Sequence, residues 1–328
     1  MQKEVQKSYA YEGVWKTPEA KLSVVIPLYN EEKNIPILFE KLSVVLSQVL
    51  SPYEIIAVDD GSKDESFRAL CAAAEKYPHV KIVQFKANFG QTAALSAGID
   101  HASGDIIVTI DSDLENDPQD IIRLLAKLNE GYDVVSGWRF DRWQGAFFTR
   151  RLPSMVANWL ISYVTGVHLH DYGCTLKAYQ ATVIKDVRLY GEMHRFVPAY
   201  ASWAGGTVTE IKVNHQPRIH GKSNYGFGRI FRVLLDLVVI VFMHRYMNRP
   251  MHFFGAWGFL SLALGLSAGL AAIFLRVMGI RHLVETPLPV LSTFLILVGV
   301  QLVLFGVVAE ILMRTYYESQ NKRPYTIK

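Results

Sequence analysis

The sequence predicts an α/β domain built on a mostly parallel central sheet, followed by a pair of membrane-spanning helices. Short apolar runs alternate with helix-like segments through the first part of the chain, and this alternation is typical of parallel sheets covered on both faces. The chain keeps the composition of a soluble protein up to about residue 228 and becomes strongly apolar beyond it.

The predicted strands and helices follow one another in strict order. The first buried strand is expected at 22–26 and ends at Pro27, and a helix follows from Asn34 to about Leu50. Ligands of such sheets gather beyond the carboxyl ends of the strands. Four further strands lie in YEIIAVDD, VKIVQF, DIIVTI and YDVVSGWR, and three helices in FRALCAAAEKY, GQTAALSAGIDHA and PQDIIRLLAKLNEG.

Composition excludes several classes of protein. The 328 residues carry a net charge of only +4, which argues against a nucleic-acid binder that relies on bulk charge. Cys71 and Cys174 are the two cysteines, and their spacing suggests neither a zinc site nor a disulfide framework, so a reducing cytosolic setting is expected for the first part. Residues 1–20 lack the apolar core of a signal peptide and are expected to be a flexible leader.

The C-terminal part is expected to anchor a cytosolic catalytic domain, residues 21–228, in the cell membrane. Residues 229–250 predict an interfacial amphipathic helix. The following region, 251–328, holds apolar runs at about 253–274 and 288–313 that are long enough to span a bilayer. The flanks are more basic than the connector between the spans, so both termini are expected to be cytosolic. The small-residue run GFLSLALGLSAG favours close helix packing or self-association into a homo-oligomer.

Carboxylates cluster where the fourth strand ends. In DSDLENDP the acids Asp111, Asp113 and Glu115 recur at every second position, and alternate side chains of an extended chain point the same way. Their repulsion requires a counter-ion. Mg²⁺ or Mn²⁺ carrying a diphosphate would fit, because these cations take one or two carboxylates plus phosphate oxygens. Asp60, at the end of the second strand, either joins such a site or accepts a hydrogen bond from a base or ribose.

Six motifs occur in order at strand ends: PLYNEE, DDGSKD, NFGQTAALSAG, DSDLENDP, GWR and RIHGKSNY. This set resembles glycosyltransferase family 2, most closely its polyprenyl-phosphate branch of dolichyl-phosphate mannose synthases and bacterial undecaprenyl-phosphate glucosyltransferases. The resemblance covers residues 20 to 230, and the two-span tail is similar to that of the bacterial members. It implies a GT-A-like nucleotide-sugar-binding domain. The implied reaction is inverting transfer of a sugar, with glucose expected, from a UDP-sugar to a polyprenyl phosphate with Mg²⁺ or Mn²⁺.

The resemblance also assigns site residues. The implied catalytic residues are Asp113, Arg139 and Asp171, with Asp171 either a base for the acceptor phosphate or a group that orients an arginine toward it. The implied metal ligands are Asp111, Asp113 and Glu115. The implied donor contacts are Pro27, Tyr29, Glu31, Val58, Asp60, Asn88, Gly90, Asp111, Ser112, Arg139, Arg218 and Lys222, the last two in a basic loop that closes over the donor.

Other interpretations remain open at this point. A GDP-mannose donor would serve the same chemistry. A processive polysaccharide synthase would need more spans and a QxxRW-like motif, of which GEMHRF is only an echo. A membrane scaffold or a lipid-binding or flippase-like protein would not need the acids at the strand ends. Arg150 and Arg151 are expected to meet the acceptor phosphate. Five histidines without ligand spacing are expected to be surface or hydrogen-bonding residues: His168, His170, His194, His215 and His220.

Overall fold

The computed structural model describes residues 20–141, 152–185, 187, 189, 191, 193–217, 237–239, 241–242, 246 and 249–319. The expected leader and most of the expected interfacial helix at 229–250 lie outside these residues. The chain divides into two compact units, residues 1–236 and 237–328.

The first unit is an α/β domain whose strands lie in the order β3-β2-β1-β4-β6-β5-β7. Only β6 is antiparallel to its neighbours, so the predicted mostly parallel sheet is confirmed. The strands are β1 (Leu22–Leu28), β2 (Tyr53–Asp59), β3 (Val80–Gln84), β4 (Ile106–Thr109), β5 (Val134–Trp138), β6 (Lys177–Gln180) and β7 (Val208–Lys212). The helices are α1 (Asn34–Leu46), α2 (Ser66–Lys76), α3 (Gln91–His101), α4 (Asp120–Leu128), α5 (Leu152–Thr165), α6 (Ala181–Ile184) and α7 (Val197–Trp203).

Apolar strands place one core on each face of the sheet. All seven residues of β1 are buried, and successive side chains point to opposite faces. Val24 therefore belongs to the cluster that contains residues of α1, α2 and α4, whereas Val25 belongs to the cluster that contains residues of α3 and α7. This two-sided burial explains why β1 is an unbroken apolar run.

Strand β1 is longer than the sequence predicts. It continues through Pro27 to Leu28, although proline has no backbone N–H to donate to a neighbouring strand. β4 pairs with β1 only as far as Val25, so β2 is the one strand beside Pro27. Proline is tolerated where a strand has an open side. Helix α1 is shorter than predicted and ends at Leu46.

The second unit contains two long apolar helices, α8 (Pro250–Val277) and α9 (Leu288–Ser319). Both are long and apolar enough to cross a membrane. They approach closely through small residues: a Cβ placed on Gly258 would come within 2.9 Å of the Gly299 carbonyl oxygen. The Oγ of Ser261 donates a hydrogen bond to the carbonyl of Leu295 (2.7 Å). The small-residue run of the first span therefore serves packing between the two helices of the hairpin.

A buried carboxylate on β2 connects the neighbouring strands β1 and β3 of the first unit. Glu54 on β2 is 3 % exposed. It accepts hydrogen bonds from Ser23 (2.6 Å) and from the backbone N–H of Ser103 (2.7 Å). Its Oε2 also lies 2.7 Å from Lys81 Nζ and 3.1 Å from Lys21 Nζ. Burial alone raises the pKa of Glu54, but hydrogen bonds from Lys81, Ser23 and Ser103 outweigh it and hold that pKa well below its usual range.

We expect Glu54→Gln to lower the free energy of unfolding by about 1–3 kcal/mol at pH 7, because the hydrogen bonds from Ser23 and Ser103 lose their charged acceptor and the exposed Lys81 loses its ion pair. A depressed folded-state pKa contributes stability above the unfolded value of about 4.3 and loses it as pH falls. The difference between wild type and variant should therefore shrink below about pH 4. Denaturant unfolding of the full-length protein in detergent, followed by tryptophan fluorescence at several pH values, measures it.

The matched control is Glu65→Gln, since Glu65 is 71 % exposed and lies 3.7 Å from Arg68. Such surface pairs contribute little, so this variant should unfold like the wild type. A difference between wild type and Glu54→Gln that is the same at every pH would contradict the assigned role of the Glu54 charge.

Candidate active site

One edge of the sheet collects most of the predicted site residues. The parallel strands β1, β2, β4 and β5 all end at this edge. β6 runs the other way and begins there, with Lys177 in register with Thr109 of β4 and Ser136 of β5. Residues 171–176, which lead into β6, therefore reach the edge from which residues 111–115 leave β4.

Asp60 organises the loop that precedes α3. Its Oδ1 accepts a hydrogen bond from the N–H of Phe89 (2.7 Å), and its Oδ2 accepts from the N–H of Gly90 (2.9 Å). The side-chain amide of Asn88 donates to the same Oδ2 (3.0 Å). Gly90 has a φ of 94°, which glycine adopts without steric cost. Asp60, Asn88 and Gly90, assigned separately from the sequence, are thus one hydrogen-bonded group.

The acid loop, residues 111–117, has a defined internal geometry. The Oδ1 of Asp113 accepts from the N–H of Glu115 (3.0 Å), and Asp117 accepts from the N–H of Gln119 (3.0 Å) in the turn before α4. Leu114 has a φ of 61° although its side chain is 1 % exposed. A left-handed leucine costs energy and persists only when its surroundings enforce it. Burial of the Leu114 side chain thus holds the loop in a strained but reproducible shape.

Gln91 is a site residue that the sequence analysis did not single out. Its side-chain amide donates to Oδ1 of Asp111 (2.8 Å) and lies 3.4 Å from Oγ1 of Thr175. Burial raises the pKa of Asp111, and the opposing influences are a hydrogen bond from Thr175 and the charge of Arg139. The sequence places Gln91 directly after Gly90 in NFGQTAALSAG. A glutamine at the start of a helix follows no distinctive pattern, so this position alone did not mark it as a site residue.

Arg139 and Asp171 form a bidentate ion pair. The Nε of Arg139 donates to Oδ2 of Asp171 (2.8 Å) and its Nη2 donates to Oδ1 (3.1 Å). Both residues are buried, at 5 % and 9 % exposure. Nη1 of Arg139 lies 3.8 Å from Oε2 of Glu115. Two predicted catalytic residues, 32 positions apart, are therefore in direct contact, and Arg139 stands between Asp171 and the acid loop.

The donor set at this edge suits a cation that brings its own phosphate ligands. Within the described part of the chain, no group of three or more His, Cys, Asp or Glu side chains is arranged to hold a metal. Asp111 and Asp113 supply oxygen donors, which are the ligands that Mg²⁺ and Mn²⁺ prefer, and one or two carboxylates suffice when phosphates complete the coordination. Glu115 faces Arg139 instead. The three-carboxylate set and the metal itself stay predictions.

Some of the remaining assigned residues are described by the structure, and others lie outside the described residues. Tyr29 is 39 % exposed beyond the end of β1, whereas Val58 is fully buried in the core. Glu31 accepts a hydrogen bond from Asn34 (2.5 Å) at the start of α1, and Ser112 is buried within the acid loop. Those outside the described residues are Arg150, Arg151, Arg218, His220 and Lys222.

Two of the histidines have specific partners. His170 pairs with Glu210, and His194 hydrogen-bonds Thr92 (2.6 Å). These contacts agree with the prediction that the histidines are hydrogen-bonding residues.

Comparison with known proteins gives the family of this chain. The family model "Glycosyl transferase family 2" matches residues 23–188. A dodecaprenyl-phosphate galacturonate synthase of Rhizobium johnstonii is 42 % identical over 94 % of this chain and 92 % of its own length. An undecaprenyl-phosphate 4-deoxy-4-formamido-L-arabinose transferase of Klebsiella pneumoniae is 35 % identical over 95 % of this chain and 94 % of its own.

A solved structure supports the fold. Glucosyl-3-phosphoglycerate synthase of Mycobacterium tuberculosis, crystallised with Mn²⁺ and UDP-glucose, has a TM-score of 0.54 at 17 % identity, over 69 % of this chain and 79 % of its own. The expected GT-A-like architecture is thereby confirmed, and at this identity the likeness concerns the fold alone. Motifs, sheet edge and relatives agree, and this chain belongs to glycosyltransferase family 2, in its polyprenyl-phosphate branch.

Proposed function

We propose that this protein transfers one glycosyl group from a nucleotide diphosphate sugar to the phosphate of a polyprenyl lipid at a membrane surface. The observation that carries the proposal is the buried Arg139–Asp171 pair beside the acid loop. It brings a fixed cation and several carboxylates to the sheet edge where such folds bind ligands. Relatives that match nearly the whole chain are named for polyprenyl-phosphate sugar transfer.

The donor sugar is a uronic acid in this proposal, with galacturonate the first to test. The basis is the name of the galacturonate synthase from Rhizobium johnstonii. Its 42 % identity to this chain exceeds the 35 % identity of the Klebsiella pneumoniae formamido-arabinose transferase. A formamido-arabinose donor is the second candidate. Glucose, expected from the sequence, has less support among these relatives. UDP is the proposed nucleotide.

The proposed reaction joins one oxygen of the lipid phosphate to the anomeric carbon of the sugar. The bond between that carbon and the diphosphate breaks, and the nucleoside diphosphate leaves from the opposite face, which inverts the configuration. A phosphate monoester is largely ionised at neutral pH, so little deprotonation is needed. Positioning and charge neutralisation then supply most of the rate.

The residues at the edge divide these tasks. Arg139 offers a guanidinium for the phosphates, and Asp171 fixes its direction through two hydrogen bonds. Both oxygens of Asp171 are used as acceptors, one of them also by the N–H of Gly173 (3.0 Å). This favours the orienting role for Asp171 over the role of base. Asp111 and Asp113 would hold Mg²⁺ or Mn²⁺, which when bound supplies Lewis-acid stabilisation of the departing diphosphate.

The basic loop assigned from the sequence is proposed to cover the donor. The N–H of Gln216 donates to the carbonyl of Glu115 (2.9 Å), and His215 pairs with Asn116. Residues 215 and 216 therefore lie beside the acid loop, and Arg218 and Lys222 follow them in the sequence. Their proposed neutralising role toward the diphosphate rests on that place in the sequence and on their charge.

The direct test is transfer by the purified full-length protein. Undecaprenyl phosphate is incubated with UDP-galacturonate, UDP-glucose, a UDP-formamido-arabinose or GDP-mannose, and the lipid fraction is analysed by mass spectrometry. We expect a polyprenyl-phosphate sugar with UDP-galacturonate and little with UDP-glucose. Glucose transfer alone would overturn the uronate proposal, and no transfer from any donor would overturn the function.

The same assay tests the proposed orientation, with the catalytic domain on the cytosolic side. Nucleotide sugars are highly charged and do not cross a bilayer unaided. Sealed inside-out membrane vesicles should therefore show transfer without detergent, and sealed right-side-out vesicles should show it only after permeabilisation. The reverse pattern would place the active site outside the cell.

Asp113→Asn tests the metal. We expect turnover to fall by about 100-fold and the Mn²⁺ concentration for half-maximal activity to rise, because an amide oxygen binds a divalent cation less well than a carboxylate. Asparagine can still accept the hydrogen bond from Glu115, so the loop should keep its shape. Asp117→Asn, in the same loop, is the control and should behave like the wild type. Full activity of the wild type in excess chelator would refute the metal role.

Asp171→Asn separates orientation from base catalysis. We expect turnover to fall by about 100-fold with donor KM nearly unchanged, because Arg139 loses its bidentate partner. An orienting role makes this loss independent of pH. A base would become dispensable above the phosphate pKa of about 6, so a loss that shrinks between pH 6 and 8.5 would favour that role instead. Asp100→Asn, an exposed change on α3, controls for altered charge.

A further inference from the structure

Lys177, the first residue of β6, is a buried cation to which the proposed mechanism assigns no task. It is 2 % exposed. Its Nζ donates hydrogen bonds to the backbone carbonyls of Cys174 and Tyr172, the latter at 3.4 Å. Burial lowers the pKa of Lys177 to about 8, so the amine is mostly protonated at neutral pH. A buried ammonium costs free energy that an aliphatic side chain would not.

The two carbonyls belong to the turn that presents Asp171. Arg139 binds this turn, residues 171–174, through its ion pair with the Asp171 carboxylate. It is held internally by the N–H of Gly173, which donates to Oδ1 of Asp171 (3.0 Å). Lys177 binds the same turn through the carbonyl oxygens of Tyr172 and Cys174. The direction of the Asp171 side chain therefore depends on both cations.

The surroundings of Lys177 are those of the site. The charged and titratable groups that act on it are Asp111, Asp171, Arg139 and the thiol of Cys174. Its register partner on β4, Thr109, donates a hydrogen bond to the carbonyl of Thr175 (2.5 Å). The start of β6 is thus fixed between β4 and β5. A displacement of the Lys177 ammonium would therefore be transmitted to the turn.

The cavity that Lys177 borders is small. A cavity of about 10 Å³ lies on the α3 side of β6, bordered by Leu95, Ile99 and Val197 as well as Lys177. This volume holds at most one water and is far too small for a sugar ring or a phosphate. A role for Lys177 is therefore sought in its contacts with the backbone carbonyls of Tyr172 and Cys174.

We propose that Lys177 is a positioning residue for glycosyl transfer: it clamps the 171–174 turn so that Asp171 keeps Arg139 directed at the reacting phosphates. The proposal rests on the proposed function. Loss of the clamp lets Asp171 and Arg139 move together away from the productive geometry. A displacement of about 1 Å can cost 10²-fold in rate, whereas the donor contacts on β1, β2 and the acid loop are untouched.

Three variants of the full-length protein in detergent test the clamp. Lys177→Met keeps the length of the side chain and removes the charge and the donors, and Lys177→Arg keeps both. Lys127→Met, on α4 where Lys127 pairs with Glu130 (2.6 Å), is the control. We expect Lys177→Met to lower kcat by about 10- to 100-fold with donor KM within about twofold. The Arg variant should recover most of kcat, and the control should match the wild type.

Hydrogen exchange gives a readout that does not depend on turnover. The peptide covering residues 171–176 should exchange faster in Lys177→Met than in the wild type, while the rest of the first unit is unchanged. If Lys177→Met does not fold, Lys177→Gln, which keeps an amide donor, replaces it with the same expectations. Wild-type kcat in the Met or Gln variant, or faster exchange across the whole unit, would overturn the proposal.

The failure of the proposed function is distinguishable from that of the clamp. If the wild-type protein transfers no sugar to undecaprenyl phosphate from any donor, the function is wrong, and the exchange comparison still decides whether Lys177 holds the turn. If the wild type is active and Lys177→Met equals it, the clamp is wrong and the function stands.

Discussion

The antiparallel insertion of β6 between β4 and β5 is the constraint on which this active site depends. In a purely parallel sheet, each connection enters its strand from the opposite edge, and residues 171–176 would lie far from the ends of β4 and β5. Because β6 runs backwards, its first residue, Lys177, is in register with Thr109. The turn that carries Asp171 is thereby brought to Arg139 and to the acid loop. The contact between Arg139 and Asp171 is therefore a consequence of the antiparallel direction of β6.

Charge balance is the second constraint. The edge collects carboxylates in a partly buried region, where the effective dielectric constant is low and unpaired charges are costly. Arg139 and Lys177 neutralise part of this negative charge. In the proposed function, a divalent cation would neutralise the rest and would allow a site rich in acids to accept an anionic donor. Backbone N–H groups stabilise the charge of Asp60, whose two carboxylate oxygens accept hydrogen bonds from the N–H groups of Phe89 and Gly90.

The two long helices of the second unit have the backbone hydrogen bonding and close packing that a membrane environment requires. A bilayer leaves no water for backbone polar groups, so helices satisfy their own. Between helices α8 and α9, glycines allow close approach and the hydroxyls of Ser261 and Ser292 find carbonyl partners across the pair. Large apolar side chains such as Trp257 and Phe294 are left exposed. An acceptor confined to a membrane would make such an anchor useful, since enzyme and lipid then share one surface.

Local pattern determined much of this protein. Apolar runs of strand length and the helices between them predicted the α/β domain, because burial on both faces of a parallel sheet imposes that pattern. Acids that directly follow strand ends predicted the position of the site, because parallel strands end at a common edge. Two uninterrupted apolar runs predicted the hairpin helices, whose length follows from bilayer thickness. Each single strand, helix or span is encoded within about twenty neighbouring residues.

Tertiary structure alone decided which of these residues meet. Nothing local distinguishes β6 from a parallel strand, and nothing near Arg139 or Asp171 states that they pair across 32 positions. Gln91 lies in NFGQTAALSAG without a distinctive pattern of its own, and Lys177 lies in none of the six motifs. Only their contacts with Asp111 and with the 171–174 turn point to a role. Strand order and side-chain pairing are chosen by the free energy of the whole packed domain, in which a buried charge is stable only where distant partners converge on it. The sequence by itself therefore determined the elements and the chemistry at their ends, and the packing of the whole chain determined the pairs that orient that chemistry.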